Sequence, residues 1–201
     1  MKHATPLTYS FSYGFLGGRG NSRHFRKMLT KAGYIESKNL NSANIIIAHS
    51  AGCFMIPEST SAGLILFIGM PLSQNNPWQT FKIAGKENYK EFIRNKHILK
   101  VINIGFYAAF YGITQPKRNI KIMRDAKNIP QIKKYSDATV VFIVNKKDPW
   151  PDIKNSISKL HRYNWSFVSM PGSHDNIWEY PSSYVAIIKH FARSVNSSLK
   201  H

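Results

Sequence analysis

The sequence predicts an α/β protein with a mostly parallel β-sheet flanked by helices. Apolar runs of strand length recur along the 201 residues, and segments with helical periodicity separate them. Two of these runs, 45–47 and 63–70, are apolar without interruption. Such runs are typical of strands that are buried on both faces, as in a parallel sheet. The length and the 43% hydrophobic content favour a single domain over residues 1–201.

The N-terminal third predicts strand, helix and strand in that order. Residues 7–13 alternate apolar and small polar side chains, which indicates a first strand. A helix should follow with Asn21 or Ser22 as its N-cap, and it should end near Gly33. The residues expected on its buried face are Phe25, Met28 and Leu29. Residues 34–40 have little pattern and predict at most a stub of a strand.

Strands 44–49 and 63–70 should then lie in the middle of the sheet, separated by a short helix because Pro57 and Gly63 interrupt that segment. Residues 71–130 show mostly helical periodicity instead of apolar runs of strand length. Their aromatic side chains at helical spacing include Phe106, Phe110 and Tyr111. Two interpretations remain open: a helical hairpin packed on the sheet, or a helical cap that lines an apolar pocket over the active site.

In the C-terminal third, predicted strands again alternate with predicted helices. Residues 137–145 and 165–170 predict two further strands. Between them, Pro151 and Asp152 should open a helix. A last helix is predicted over 182–194. The residues expected on the buried faces of the two helices are Ile153, Ile157 and Leu160, and Tyr184, Ile187, Ile188 and Phe191.

Ser50 stands between a predicted buried strand and a short helix, in the run Ala48-His49-Ser50-Ala51-Gly52. This pattern fits a nucleophile elbow, a tight turn that strains the serine backbone and needs small residues two positions before and after it. The elbow would expose the Ser50 hydroxyl above the sheet and leave the Ala51 N–H able to bind an oxyanion. The competing interpretation is an ordinary turn that contains a serine.

A glycine-rich loop follows the first strand and also has two interpretations. Gly14, Gly18 and Gly20 match the spacing of a dinucleotide phosphate loop. Against this, the second strand runs into the Ser50 turn instead of ending in an acidic residue for a ribose. The alternative is an oxyanion loop in which the Phe15 N–H is the second donor.

Ser50, Asp148 and His174 each come directly after a predicted strand. The carboxyl ends of parallel strands meet at one edge of a sheet, so these three side chains should gather there. Together they have the residue types of a nucleophile, an orienting acid and a general base. Asp152 and Asp175 are the reserve candidates for the acid.

The segments 13–18, 48–52, 145–148 and 171–175 carry a resemblance to a known family. With the chain order Ser, Asp, His, they resemble a small single-domain serine hydrolase of the α/β-hydrolase superfamily, near the retinoblastoma-binding-protein-9 type. Three positions differ from the family pattern: Tyr13 replaces a histidine, Ala48 replaces the first glycine of the elbow, and Asn145 stands where glycine often precedes the acid. The chain between the first predicted helix and Ser50 is also too short for the family's usual strand and helix, so the resemblance implies an abbreviated sheet.

The resemblance implies a catalytic triad of Ser50, Asp148 and His174, with an oxyanion hole formed by the N–H groups of Phe15 and Ala51. The expected reaction is hydrolysis of a carboxylic ester or thioester of an apolar acyl group through an acyl-enzyme, without a cofactor or metal. The residues expected to line the substrate pocket are Leu16, Phe106, Phe110 and Tyr111. The expected substrate is a small ester or lipid-like molecule.

The excess of basic residues is compatible with a second function, the binding of an anionic partner. Lys and Arg number 28 against 10 Asp and Glu, which gives a net charge of +18. Because the basic residues are spread along the chain without a nucleic-acid motif, we expect a solvated basic surface with weak affinity for anionic surfaces and no specific nucleic-acid binding. The alternative is a non-catalytic protein of the same fold that binds an anionic partner.

The single cysteine, Cys53, excludes an internal disulfide framework, and we expect it to be a small buried side chain. No membrane-spanning segment is predicted, and no secretion signal is visible at the N-terminus. A cytoplasmic location is therefore expected.

Overall fold

Six strands form one parallel sheet in the computed structural model, which describes residues 6–14, 22–70, 86, 113–114, 116–117, 120, 135, 137–148, 153–174 and 176–198. The strands are β1 (Thr8–Ser12), β2 (Ile35–Glu36), β3 (Ile45–His49), β4 (Leu64–Ile68), β5 (Thr139–Asn145) and β6 (Phe167–Met170). Their order is β2-β1-β3-β4-β5-β6, and every neighbouring pair is parallel. The predicted parallel sheet is confirmed, with the stub at 34–40 forming the short edge strand β2.

The helices of the described residues are α1 (Arg23–Lys31), α2 (Ile153–Arg162), α3 (Asn176–Glu179) and α4 (Pro181–Ser198), with a 3-10 helix over Ser50–Met55. Each long helix was expected from its apolar periodicity, while the short α3 was not. None of these helices combines the length and the apolar character that crossing a lipid bilayer requires.

The sheet is covered on both faces, which explains its uninterrupted apolar strands. Alternate residues of β3, such as Ile45 and Ile47, face a core that includes α1 and α4, whereas Ile46 faces a second core that includes the 3-10 helix and α2. Successive side chains of a strand point to opposite faces, so a strand between two cores must be apolar at every position. All five residues of β3 and of β4 are buried.

The predicted helix after β1 is present, but its start differs in detail. Ser22 occupies the N-cap position of α1 without a side-chain hydrogen bond to the helix. Its hydroxyl oxygen instead accepts a hydrogen bond from the Tyr13 hydroxyl at 2.8 Å. Phe25 and Leu29 are buried on the inner face as predicted, and Gly33 follows the helix with φ +89°. The Ser22 side chain therefore secures the end of β1 instead of the helix N-terminus.

The predicted helical insert, residues 71–130, lies almost entirely outside the described residues. Within it the structure describes only 86, 113–114, 116–117 and 120, and all of these are helical and exposed. Its role as a cap, and the single domain over 1–201, stay predictions.

Gly52 lies close against the backbone of β1, and we predict that Gly52→Ala destabilises the protein. A Cβ at Gly52 would lie 2.2 Å from the Ser12 carbonyl oxygen, so β1 would have to move. We expect the free energy of unfolding to fall by about 3 kcal/mol, measured by urea denaturation. Gly33→Ala is the matched control, because its Cβ would meet nothing within 4 Å and only the positive φ opposes it. That control should cost about 1 kcal/mol. Equal losses in the two variants would contradict the prediction.

Candidate active site

Ser50 lies where β3 ends and the 3-10 helix begins. Its backbone φ is +56°, in the left-handed region that a residue with a side chain rarely occupies. Holding a serine there costs roughly 1–2 kcal/mol, a kind of strain that clusters at functional sites. This is the strained backbone that the sequence predicts for an elbow.

The end of β1 packs directly against this turn. A Cβ at Gly14 would lie 3.0 Å from the Ala51 nitrogen and 3.3 Å from the Ser50 hydroxyl oxygen. On the other side of the turn, the Ser12 hydroxyl donates a hydrogen bond to the Gly52 carbonyl at 2.7 Å. Glycine at 14 and at 52 therefore allows the end of β1 to pack closely against the turn that holds Ser50 and Ala51.

Asp148 and His174 form a buried hydrogen-bonded pair. Asp148 follows β5, His174 follows β6, and their exposed fractions are only 3% and 7%. The distance from His174 Nδ1 to Asp148 Oδ2 is 2.7 Å. Because an ionised carboxylate can only accept, Nδ1 donates this hydrogen bond, and the neutral form of the ring then has its lone pair on Nε2. This orientation suits an imidazole that accepts a proton at Nε2.

Gly69 packs directly against the Asp148–His174 pair, and the sequence analysis did not predict this contact. It follows β4 with φ +58°, and a Cβ there would lie 3.0 Å from Asp148 Oδ2 and 3.1 Å from the His174 Nδ1 and Cε1 atoms. The space beneath the pair therefore admits no side chain. The only signal in the sequence was a glycine near the end of an otherwise apolar run.

His49 connects the serine turn to the histidine loop, and it was also missed. It is 3% exposed, and its Nε2 lies 3.0 Å from the His174 carbonyl oxygen, so the His49 N–H donates this hydrogen bond. The two imidazole rings are 4.8 Å apart, and the Trp178 ring lies 5.3 Å from that of His49. Since Ser50 is the next residue, this contact brings the serine turn and the His174 loop to the same edge of the sheet.

This site sits on a framework found in solved structures. A carboxylesterase structure from the thaumarchaeon Nitrososphaera gargenis matches with TM-score 0.63 and 14% identity, covering 98% of this chain and 93% of that one. MGS-M2, an α/β-hydrolase from a Medee basin deep-sea metagenome library, matches with TM-score 0.61 and 13% identity, covering 95% and 90%. Potato (Solanum tuberosum) epoxide hydrolase I matches with TM-score 0.60 and 14% identity, covering 95% and 94%.

The chain has the α/β-hydrolase fold. No family model matches the sequence, and no curated protein matches it. The structural neighbours share 13–14% identity with this chain, so they establish the fold and do not distinguish its subfamilies. The resemblance to the retinoblastoma-binding-protein-9 type stays a prediction.

On this α/β-hydrolase fold, the predicted acid and base are in direct contact, and Ser50 and Ala51 lie at the end of a strand in the same sheet. The other predicted site residues lie outside the described residues: Phe15, Leu16, Phe106, Phe110 and Tyr111, and the reserve acids Asp152 and Asp175. Over the ranges that the structure describes, no group of three or more His, Cys, Asp or Glu side chains is arranged to hold a metal ion.

Cys53, one turn after Ser50, is not suited to be the nucleophile. It is buried without a disulfide, and its thiol lies 3.4 Å from the Ala48 carbonyl oxygen. Burial raises the pKa of the Cys53 thiol far above its usual value, so the reactive thiolate does not form. The prediction of a small buried side chain is confirmed.

Proposed function

We propose that this protein is a serine hydrolase that cleaves a carboxylic ester or thioester of an apolar acyl group. The observation that carries the proposal is the buried hydrogen bond between His174 and Asp148. A buried carboxylate that orients an imidazole supports nucleophilic catalysis. A serine with φ +56° follows β3, a strand of the same parallel sheet, and supports it further. The solved structures with a similar fold include a carboxylesterase and epoxide hydrolases, which supports hydrolytic chemistry.

In the proposed acylation step, Ser50 Oγ attacks the acyl carbon while His174 Nε2 takes the hydroxyl proton. The carbonyl π electrons move onto the oxygen, which the Ala51 and Phe15 N–H groups hold. Each such donor contributes about 3 kcal/mol to the transition state in hydrolases of this type. Asp148 keeps the imidazole oriented and stabilises its positive charge.

The tetrahedral intermediate then collapses. The bond from the acyl carbon to the leaving alcohol or thiol breaks, and His174 delivers its proton to that group. Water attacks the acyl-enzyme with His174 as the base, which releases the carboxylic acid and restores Ser50. No further reactant is needed.

The proposed substrate class rests on the aromatic residues of the insert. We place Leu16, Phe106, Phe110 and Tyr111 around the acyl group, because apolar side chains line most small-molecule pockets. This choice favours esters, thioesters and lipid-like molecules over peptides.

A panel of p-nitrophenyl esters of increasing acyl length tests the substrate class. We expect kcat/KM to rise from acetate to medium-length acyl groups, since each methylene buried in an apolar pocket contributes about 0.8 kcal/mol. Spontaneous hydrolysis is measured beside the Ser50→Ala variant and subtracted. A panel in which acetate is the best substrate would contradict the apolar pocket.

A non-catalytic binding role is the alternative, and one observation favours it. Helices α1 and α4 lie side by side and contain no Asp or Glu. Their exposed basic residues are Arg23, Lys27, Lys31, Lys189 and Arg193. Salt-sensitive cosedimentation with anionic vesicles, together with no covalent labelling by a fluorophosphonate probe, would support this role.

A further inference from the structure

The Tyr184 hydroxyl joins two buried asparagines beneath the candidate site. It donates a hydrogen bond to Asn145 Oδ1 at 2.7 Å and accepts one from Asn176 Nδ2 at 3.1 Å. All three residues are at least 98% buried. Asn145 is the last residue of β5, Asn176 begins α3, and Tyr184 lies in α4. The last helix is thereby hydrogen-bonded to both loops that hold the acid and the base.

The Asp148 loop starts at Asn145. The Asp148 N–H donates to the Asn145 carbonyl oxygen at 3.0 Å, which closes the turn that carries the carboxylate. The Asn145 side-chain Nδ2 has no hydrogen-bond partner among the described residues. The Tyr184 hydroxyl is therefore the one described group that fixes the orientation of this side chain.

The His174 loop is fixed from the other side by Asn176. The Asn176 N–H donates to the Ser173 carbonyl oxygen at 3.2 Å. Gly172 has φ +105°, and a Cβ there would lie 2.1 Å from Asn176 Oδ1, so the Asn176 side chain fills the space over this turn. A backbone hydrogen bond of 3.0 Å from the Lys147 N–H to the Gly172 carbonyl oxygen joins the two loops.

The Tyr184 hydroxyl keeps its proton and can therefore donate a hydrogen bond at every pH of interest. Burial raises the pKa of Tyr184 to about 12, so the hydroxyl stays protonated over the whole range in which an esterase would be assayed. Its single proton points to Asn145, and its oxygen lone pair receives the Asn176 amide.

We propose that Tyr184 is a positioning residue that sets the distance between Asp148 and His174 by holding Asn145 and Asn176. Its hydroxyl is hydrogen-bonded to Asn145 and Asn176, so it acts on the acid and the base through the loops that carry them. Its effect on turnover rests on the proposed function, whereas its effect on the geometry of the pair does not.

The test is Tyr184→Phe, which removes only the hydroxyl, with Tyr9→Phe as the matched control. Tyr9 is also a fully buried tyrosine, but it lies on β1, and the polar neighbours of its hydroxyl are Thr30 and Arg26 of α1. Circular dichroism verifies that both variants fold. If Tyr184→Phe does not fold, Asn176→Ala replaces it, because that change removes the same link from the other side.

Two readouts are compared. The first is the downfield proton NMR signal of the His174 Nδ1–H, assigned by its loss in His174→Gln, which reports the hydrogen bond to Asp148 without any substrate. The second is the rate of labelling by a fluorophosphonate probe, with kcat and KM for a p-nitrophenyl ester. We expect Tyr184→Phe to weaken or shift the signal and to lower the labelling rate and kcat by about 10- to 100-fold, with KM unchanged.

Tyr9→Phe should leave the signal and the rates at wild-type values. A wild-type signal and wild-type rates in Tyr184→Phe would overturn the proposal. If the wild-type protein is neither labelled nor active, the proposed function fails, and the NMR signal alone decides: a change in Tyr184→Phe supports the positioning role, and no change overturns it.

Discussion

Replacing Ser50 with alanine is expected to lower ester turnover by about 10⁶-fold, down to the rate left by the oxyanion hole and substrate binding. The reason is that the proposed mechanism has no other nucleophile: the Cys53 thiol is buried and its pKa is raised. Steady-state kinetics with the best p-nitrophenyl ester measure the effect. Ser61→Ala, which removes an exposed hydroxyl that donates to the Asn41 carbonyl oxygen, is the control and should keep wild-type turnover.

The same position allows a second test in Ser50→Gly. Glycine adopts φ +56° without a Cβ penalty, so this variant should be about 1 kcal/mol more stable than wild type in urea denaturation while it is just as inactive. A gain in stability together with a loss of activity is expected if the strained backbone of Ser50 is needed for catalysis. Full turnover in either Ser50 variant would rule out Ser50 as the nucleophile.

Asp148→Asn is expected to lower kcat by about 10⁴-fold with little change in KM. The asparagine amide can donate to Nδ1, which would leave the imidazole in the tautomer whose Nε2 carries a proton and cannot act as a base. The measurement is the steady-state rate on the same ester, after circular dichroism has shown that the variant folds.

Asp152→Asn and Asp175→Asn are the controls, because these two residues are the other acids near the end of β5 and beside His174 in the sequence. Both should keep most of the wild-type rate. If Asp148→Asn stays active while one of these variants loses activity, the orienting acid has been assigned to the wrong residue.

The sequence predicted most of the described fold because buried parallel strands have a strong pattern. The runs 45–47 and 63–70 are apolar at every position since the sheet has a core on each face. The two-residue strand β2 and the four-residue helix α3 are too short to show a period, so one appeared only as a stub and the other was missed.

The residues that support the site could not be predicted in the same way. His49 and the His174 carbonyl are 125 positions apart, and Tyr184 is 39 positions from Asn145. Periodicity correctly placed Tyr184 on the buried face of the last helix, but it says nothing about where the hydroxyl finds its partners. For Asn145, the sequence shows only that it stands where the resembled family often has glycine. Polar contacts between distant loops depend on the complete fold. Local patterns in a single sequence do not show which loops will meet.

The most direct test of the central claim, that Ser50 is the activated nucleophile, is to locate the covalent adduct of a fluorophosphonate probe. Wild-type protein and Ser50→Ala are treated side by side, digested and mapped by mass spectrometry. We predict one phosphonyl adduct on the wild-type peptide that contains Ser50, and none on the variant. Folded wild-type protein without an adduct, or an adduct that persists in Ser50→Ala, would contradict it.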